Sequence, residues 1–163
     1  MSGLITRTLR TRNLVVYRKT FVTLVRPTLD YASSVWSPWQ TQDVNLVESV
    51  QRTFTRRAYY KCRINRTRYT DRLKHLNITS LEERRIRTDL ILVYKILNRL
   101  IAMPESVYFR RPVRGTSGSS RNHAFRIQPI IPSSDDPSKN YFSNRVTAIW
   151  NSLPREIVNA PTL

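Results

Sequence analysis

The chain has 163 residues, 40% of them apolar, which is enough for one modest domain or one domain with an appendage. Its 28 Lys and Arg against 11 Asp and Glu leave a net charge of +17, an excess that repels itself in a compact state and calls for a polyanion, nucleic acid first and an anionic membrane surface second. The opening MSGLITRTLR lacks the apolar core of a signal peptide, no run approaches the roughly 20 apolar residues of a membrane span, and the lone Cys62 excludes an intrachain disulfide and points to a reducing, intracellular setting, cytoplasm or nucleus.

Over residues 12–25, Leu14, Tyr17, Phe21, Leu24 and Val25 follow helical spacing within a basic segment. Pro27 has no N–H to donate, so it starts a new helix or kinks the old one. Leu29, Tyr31, Ala32, Val35 and Trp36 extend the pattern, and Ser37-Pro38 ends it. Trp36 and Trp39 flank that break and are expected as lids on the core rather than as base-stacking platforms. Thr41 is the expected cap of the next helix, with Asp43 in its first turn. Val47, Val50, Phe54 and Ala58 share one face of that helix, with Leu46 beside them.

The polar side of the same helix then turns basic. No acid lies between Glu48 and Asp71, a stretch that holds Arg52, Arg56, Arg57, Lys61, Arg63, Arg66 and Arg68 among Phe54, Tyr59, Tyr60 and Tyr69. Guanidinium groups grip phosphates in a forked geometry, and aromatic faces stack on unpaired bases. These seven cations, with Tyr59 and Tyr60, are therefore the candidate nucleic-acid-binding residues. The competing reading is a solvated basic face whose tyrosines pack inward.

Tyr69, Leu73 and Leu76 make a short helix, capped by Thr67 or Thr70 and closed by a left-handed Asn77. Residues 80–101 come next, as the expected central helix of a bundle. Ile86, Leu90, Val93, Leu97 and Leu100 recur at steps of four, three, four and three, Ile91, Leu92 and Tyr94 widen the stripe, and Ser80 with Glu83 forms a capping box. After Ala102, Pro104, Pro112, Gly115 and Gly118 mark a loop or linker. His123, Phe125 and Ile127 then alternate with polar neighbours and Ala124, the pattern of one strand or extended segment. Over residues 141–153, Phe142, Val146, Ile149, Trp150 and Leu153 share a helical face, with Trp150 as the anchor that docks this helix on the bundle.

The expected fold is mainly α, a small helical bundle of about five to six helices. Residues 1–101 form the basic bundle, 102–140 a loop-rich linker with room for short strands, and 141–163 a C-terminal helix docking back. Charge follows that division: residues 1–101 carry 20 basic and 7 acidic side chains, residues 102–163 only 8 and 4.

The residues offer no catalytic centre. Polymerases and nucleases use acidic side chains to hold two metal ions at a phosphate. Adjacent acids occur only at Glu82-Glu83, which helix capping explains, and at Asp135-Asp136, in a Ser/Pro-rich loop without strand periodicity. The glycines are too few for a phosphate-cradling loop. Cys62, His75 and His123 lack the paired spacing of a zinc site. No metal or other cofactor is expected.

Leu24-Val25-Arg26-Pro27-Thr28-Leu29-Asp30-Tyr31-Ala32-Ser33, followed by Val35-Trp36-Ser37-Pro38, resembles the LVRP-LEYAS-VWSP stretch of non-LTR (LINE-type, jockey-like) retrotransposon reverse transcriptases, which lies just after their catalytic palm. Leu46-Val47-Glu48-Ser49-Val50-Gln51-Arg52 with Phe54-Thr55-Arg56 is similar to the LE-VQR-FTR segment of that family. Tyr69-Thr70-Asp71-Arg72-Leu73, Ser80-Leu81-Glu82-Glu83-Arg84-Arg85, Asp89-Leu90 and Tyr94-Lys95-Ile96-Leu97 resemble the family's segments C-terminal to it. So do Phe142-Ser143-Asn144-Arg145-Val146 and Trp150-Asn151-Ser152-Leu153-Pro154. The match runs in order over residues 14–163.

The resemblance implies the thumb and C-terminal region of such an enzyme, which holds template RNA or an RNA–DNA duplex while the palm does the chemistry. Fingers, palm with its aspartate motif, and endonuclease are missing from the match, so it implies a truncated copy that is not an enzyme on its own. The implied partners are RNA or an RNA–DNA hybrid, and the missing palm or another protein; no membrane is implied. The alternative expectation is a protein-interaction or structural module, or a decayed fragment without selected function.

Overall fold

The computed structural model of the protein describes residues 2–65, 67–111, 125–128 and 137–160. Among them the fold is mainly α, as expected. The α-helices are α1 (Ser2–Thr8), α2 (Leu14–Thr20), α3 (Arg26–Asp30), α4 (Ser33–Trp36), α5 (Thr41–Lys61), α6 (Tyr69–Leu76), α7 (Leu81–Leu97), α8 (Glu105–Tyr108), α9 (Phe142–Asn151) and α10 (Arg155–Val158). The chain divides into two compact units, Met1–Arg85 and Ile86–Leu163. The division falls inside α7, ahead of the boundary expected near Ala102.

In the first unit Asn13 caps α2, its Oδ1 accepting the Val15 N–H at 2.9 Å. A π-helical stretch, Phe21–Val25, joins α2 to α3. Its wide turn comes just ahead of Pro27, whose ring would crowd the carbonyl four residues back in a regular helix. Tyr17, Phe21 and Val25 descend one side of this rod and are buried with Phe54 and Ala58 of α5; the Phe21 and Phe54 ring centroids are 4.9 Å apart.

After α3 the chain turns at Ala32, which is left-handed with φ 50°. The turn takes Val35 and Trp36 off the face of Phe21 and Val25. The tryptophans expected as core lids are therefore exposed, Trp36 by 40% and Trp39 by 59%. The Trp36 indole N–H donates to the Tyr31 carbonyl at 2.6 Å, closing the corner locally. Ser37-Pro38 ends α4 as its sequence predicts. Thr41 is the first helical residue of α5 and not its cap; Gln40 takes that place without a side-chain hydrogen bond. Likewise Arg68, in extended conformation, precedes α6 where Thr67 or Thr70 was expected to cap it. Asn77 closes α6 in the left-handed conformation, φ 48°.

The groups that join α5 to α6 and α7 are polar. Glu48, Gln51 and Thr55 are buried on α5. Glu48 accepts the Tyr69 hydroxyl through Oε1 and the Leu81 N–H through Oε2 at 2.9 Å. Gln51 Nε2 donates to the Tyr69 hydroxyl at 3.0 Å and to the Thr79 carbonyl at 2.9 Å. Fully buried groups of this kind need such partners, since an unmade bond costs about 1–3 kcal/mol.

On α7, Ser80 Oγ accepts the Glu83 N–H at 3.1 Å, the Ser80 half of the capping box read from the sequence. The expected apolar stripe holds in part. Val93 and Leu97 are buried, but Ile86 is 38% and Leu100 58% exposed. Leu100 leaves the stripe because the helix stops at Leu97. Arg99 turns left-handed, φ 55°, and the Leu100 N–H returns to the Lys95 carbonyl at 2.8 Å.

The second unit packs Val93, Tyr94, Ile96 and Leu97 of α7 with Phe109, Ile127, Val146, Trp150 and Val158. Trp150 anchors α9 here, its indole N–H donating to the Phe125 carbonyl at 2.9 Å. The buried Asp89 pairs with Arg145 of α9 at 3.0 Å. In the stretch with room for short strands, the described residues hold a single antiparallel bridge, Arg110 with Gln128. Asn151 grips the extended Ile127 by both its N–H and its carbonyl. His123, Pro112, Gly115, Gly118 and Asp135-Asp136 lie outside the described residues.

Candidate nucleic-acid interface

Helix α5 is 21 residues long, and its second half carries most of the basic run. Arg52, Arg56 and Tyr60 recur at steps of four and so line up along the helix, with Arg57 beside them. All four are exposed, Tyr60 by 84%. The buried side of the same half-helix is Phe54, Thr55, Ala58 and Tyr59. That division orients the cations outward, because the apolar and hydroxyl groups between them are held by the core.

The end of α5 bends back on itself. Arg63 is left-handed, φ 56°, and the Ile64 N–H returns to the Tyr59 carbonyl at 3.1 Å. The reversal brings Ile64, Asn65 and Thr67 opposite Arg56, Arg57, Tyr59 and Tyr60, around a concavity of about 600 Å³ with Arg72 in its wall. Arg72 is buried and has no carboxylate partner among the described ion pairs. Its guanidinium donates to the Thr67 carbonyl at 2.7 Å and to Thr55 Oγ1 at 3.3 Å. Burial, and then the nearby Arg56 and Arg52, lower its pKa against the opposing pull of Tyr59 and Tyr69. Arg52 and Arg72 both lie on the Tyr69 ring, 5.2 and 5.5 Å from its centroid.

A second concavity, of about 380 Å³, lies where α1 packs on α5. It is lined by Thr6, Arg7, Arg57, Tyr60 and Lys61. The Lys61 ammonium donates to the Leu9 carbonyl at 3.1 Å, which fixes its position without neutralising it.

The structure thus brings Arg52, Arg56, Arg57 and Tyr60 together on one open face, with Lys61 half-buried at its edge. Arg63 and Arg68 are exposed in the following loop and line neither concavity. Tyr59 is 4% exposed, and its hydroxyl bonds His75 Nδ1 at 2.7 Å; it packs inward. Arg66 lies outside the described residues. Arg72 and Arg7 were missed by sequence reasoning. Arg72 sits in an ordinary-looking amphipathic turn, and Arg7 in a basic segment far from the run; only their neighbours in space give them a place at the site.

The ion pairs among the described residues join Arg84 to Asp30, Arg111 to Glu105 and Arg145 to Asp89, and none takes a residue of the run. Among the described residues no three of His, Cys, Asp and Glu cluster to hold a metal ion. No described helix is long and apolar enough to cross a membrane.

No family model matches the chain, and no solved structure matches it. Its sequence is similar to the uncharacterized protein B0403.1 of Caenorhabditis elegans, at 30% identity over 99 residues. The match covers 61% of this chain and 50% of that protein, so the chain spans about half the length of the relative.

Proposed function

We propose that the chain is a nucleic-acid-holding helical module of the non-LTR reverse transcriptase type, acting inside the cell and making or breaking no bonds by itself. The observation that carries the reading is the open face of α5, where Arg52, Arg56 and Arg57 stand beside an exposed Tyr60 with no acidic partner among the described ion pairs. Guanidinium groups displace counterions from phosphates, and that release supplies most of the affinity for a strand of any sequence. RNA or an RNA–DNA hybrid is the partner that the resemblance of the chain to reverse transcriptase thumbs favours. Filter binding tests it at low salt, about 50 mM, where such contacts are strongest. Retention of RNA, hybrid or DNA is expected; no retention of any of them contradicts the reading.

A second reading has its own observation. Tyr31, Val35, Trp36, Trp39 and Leu46 are all exposed, by 80%, 86%, 40%, 59% and 68%, and apolar surface of this kind marks protein contacts. In this reading the residues meet another protein, such as the palm of a reverse transcriptase, or a second copy of the chain. A monodisperse monomer by light scattering that binds no apolar dye contradicts it.

A further inference from the structure

The two concavities on α5 share a wall. Arg57 and Tyr60 line both of them, so the exposed Tyr60 borders two hollows at once. The first hollow has Arg56, Arg57 and Arg72 around it, the second Arg7, Arg57 and Lys61; neither is lined by an Asp or Glu. Their volumes, about 600 and 380 Å³, fall in the range of sites that enclose small molecules. The first also offers Ile64 as an apolar wall, the Asn65 amide as a hydrogen-bonding group, and Thr67 Oγ1, whose own proton goes to the Asn65 carbonyl, as an acceptor.

A duplex presents phosphates on a convex surface and keeps its base faces stacked inside. Phosphate contacts to an open arginine face do not distinguish it from a single strand. Hollows bordered by an exposed aromatic side chain do, since unpaired bases can be splayed out and stacked on a ring, whereas paired bases cannot. We infer that the two hollows bordered by Tyr60 seat two successive nucleotides of an unpaired strand, their bases against the Tyr60 ring and their phosphates on Arg57 and its neighbours. The inference rests on the nucleic-acid reading above and adds the form of strand the site selects.

The test uses the full chain and fluorescence anisotropy, with a labelled single strand of about 12 nucleotides, a length that spans a typical single-strand site, and the blunt duplex of the same sequence. The single strand is expected to bind about tenfold more tightly than the duplex. Tyr60→Ala is expected to lower single-strand affinity about tenfold, the loss of one stacking platform, while the salt slope and the duplex affinity stay as they are. Tyr60→Phe keeps the ring and is expected to bind as wild type does. Since Tyr60 is 84% exposed, its replacement leaves the core intact, and an unchanged melting temperature accompanies the result. Equal binding of the two forms, or an equal loss for both in Tyr60→Ala, overturns the seating of unpaired nucleotides and leaves the nucleic-acid reading standing. Failure of the wild-type chain to bind either form overturns both.

Discussion

Glu48 is the last acid before the basic run, and it stands four residues ahead of Arg52, the spacing at which opposite charges on a helix face each other. The fold turns it inward, to accept the Tyr69 hydroxyl and the Leu81 N–H. Glu48→Ala leaves the buried Leu81 N–H and the part-buried Tyr69 hydroxyl without their acceptor and is expected to cost about 2–3 kcal/mol, read as a lower urea midpoint with an unchanged slope; an unchanged midpoint contradicts this role for the network. Tyr69 carries a pH signature as well. Burial first, and then its hydrogen bond to Glu48, hold the phenol proton and raise its pKa. The unfolded chain ionises this group near pH 10, so its contribution is complete below that value and is lost as pH rises beyond it. Stability is therefore expected to fall above about pH 10, and the fall to be shallower in Tyr69→Phe. Tyr17 and Tyr59, raised by burial, keep a residual fall of the same sign. The outward arginines were legible in the sequence, because helical spacing is local. The burial of Glu48, Gln51 and Arg72 was not, because a polar side chain is buried only where partners from distant segments meet it.

At the scale of elements, α2, α5, α6, α7 and α9 follow from apolar spacing, and the breaks after α2 and α4 from Pro27 and Ser37-Pro38, whereas the short α1, α8 and α10 had no such signal. The Ser80 cap and the Asn77 closure also follow, since these residue types favour those positions. The turns at Ala32, Arg63 and Arg99 do not. Each is left-handed without being glycine or asparagine, and residues of these types seldom adopt that conformation. The first of them shapes the surface: after the turn at Ala32, Val35 and Trp36 are exposed. Ala32 is itself exposed, so Ala32→Gly removes the strain without losing packing. It is expected to raise stability by about 0.5–1 kcal/mol, measured by thermal or urea denaturation. A destabilised Ala32→Gly would show that the chain does not turn there in this way.

At the scale of the molecule, the charge that marks the chain is concentrated before residue 102, and the run on α5 lies within the first compact unit. The division at Arg85 and Ile86 was not legible, because α7 reads as one uninterrupted amphipathic helix. The core of the second unit takes Val93, Tyr94, Ile96 and Leu97 from that helix and the rest from Phe109, Ile127, Val146, Trp150 and Val158, much later in the chain. No local pattern announces that pairing. The proposed function depends on the open face of α5 meeting phosphates. A salt titration of binding to single-stranded RNA, duplex DNA and RNA–DNA hybrid tests this most directly, comparing wild type with Arg52, Arg56, Arg57 and Lys61 all changed to Ala. The fourfold change is expected to weaken every form that binds and to flatten the log–log salt slope by roughly 0.7–0.9 for each phosphate that is no longer neutralised. Binding of unchanged affinity and unchanged slope would place the phosphates elsewhere and contradict it.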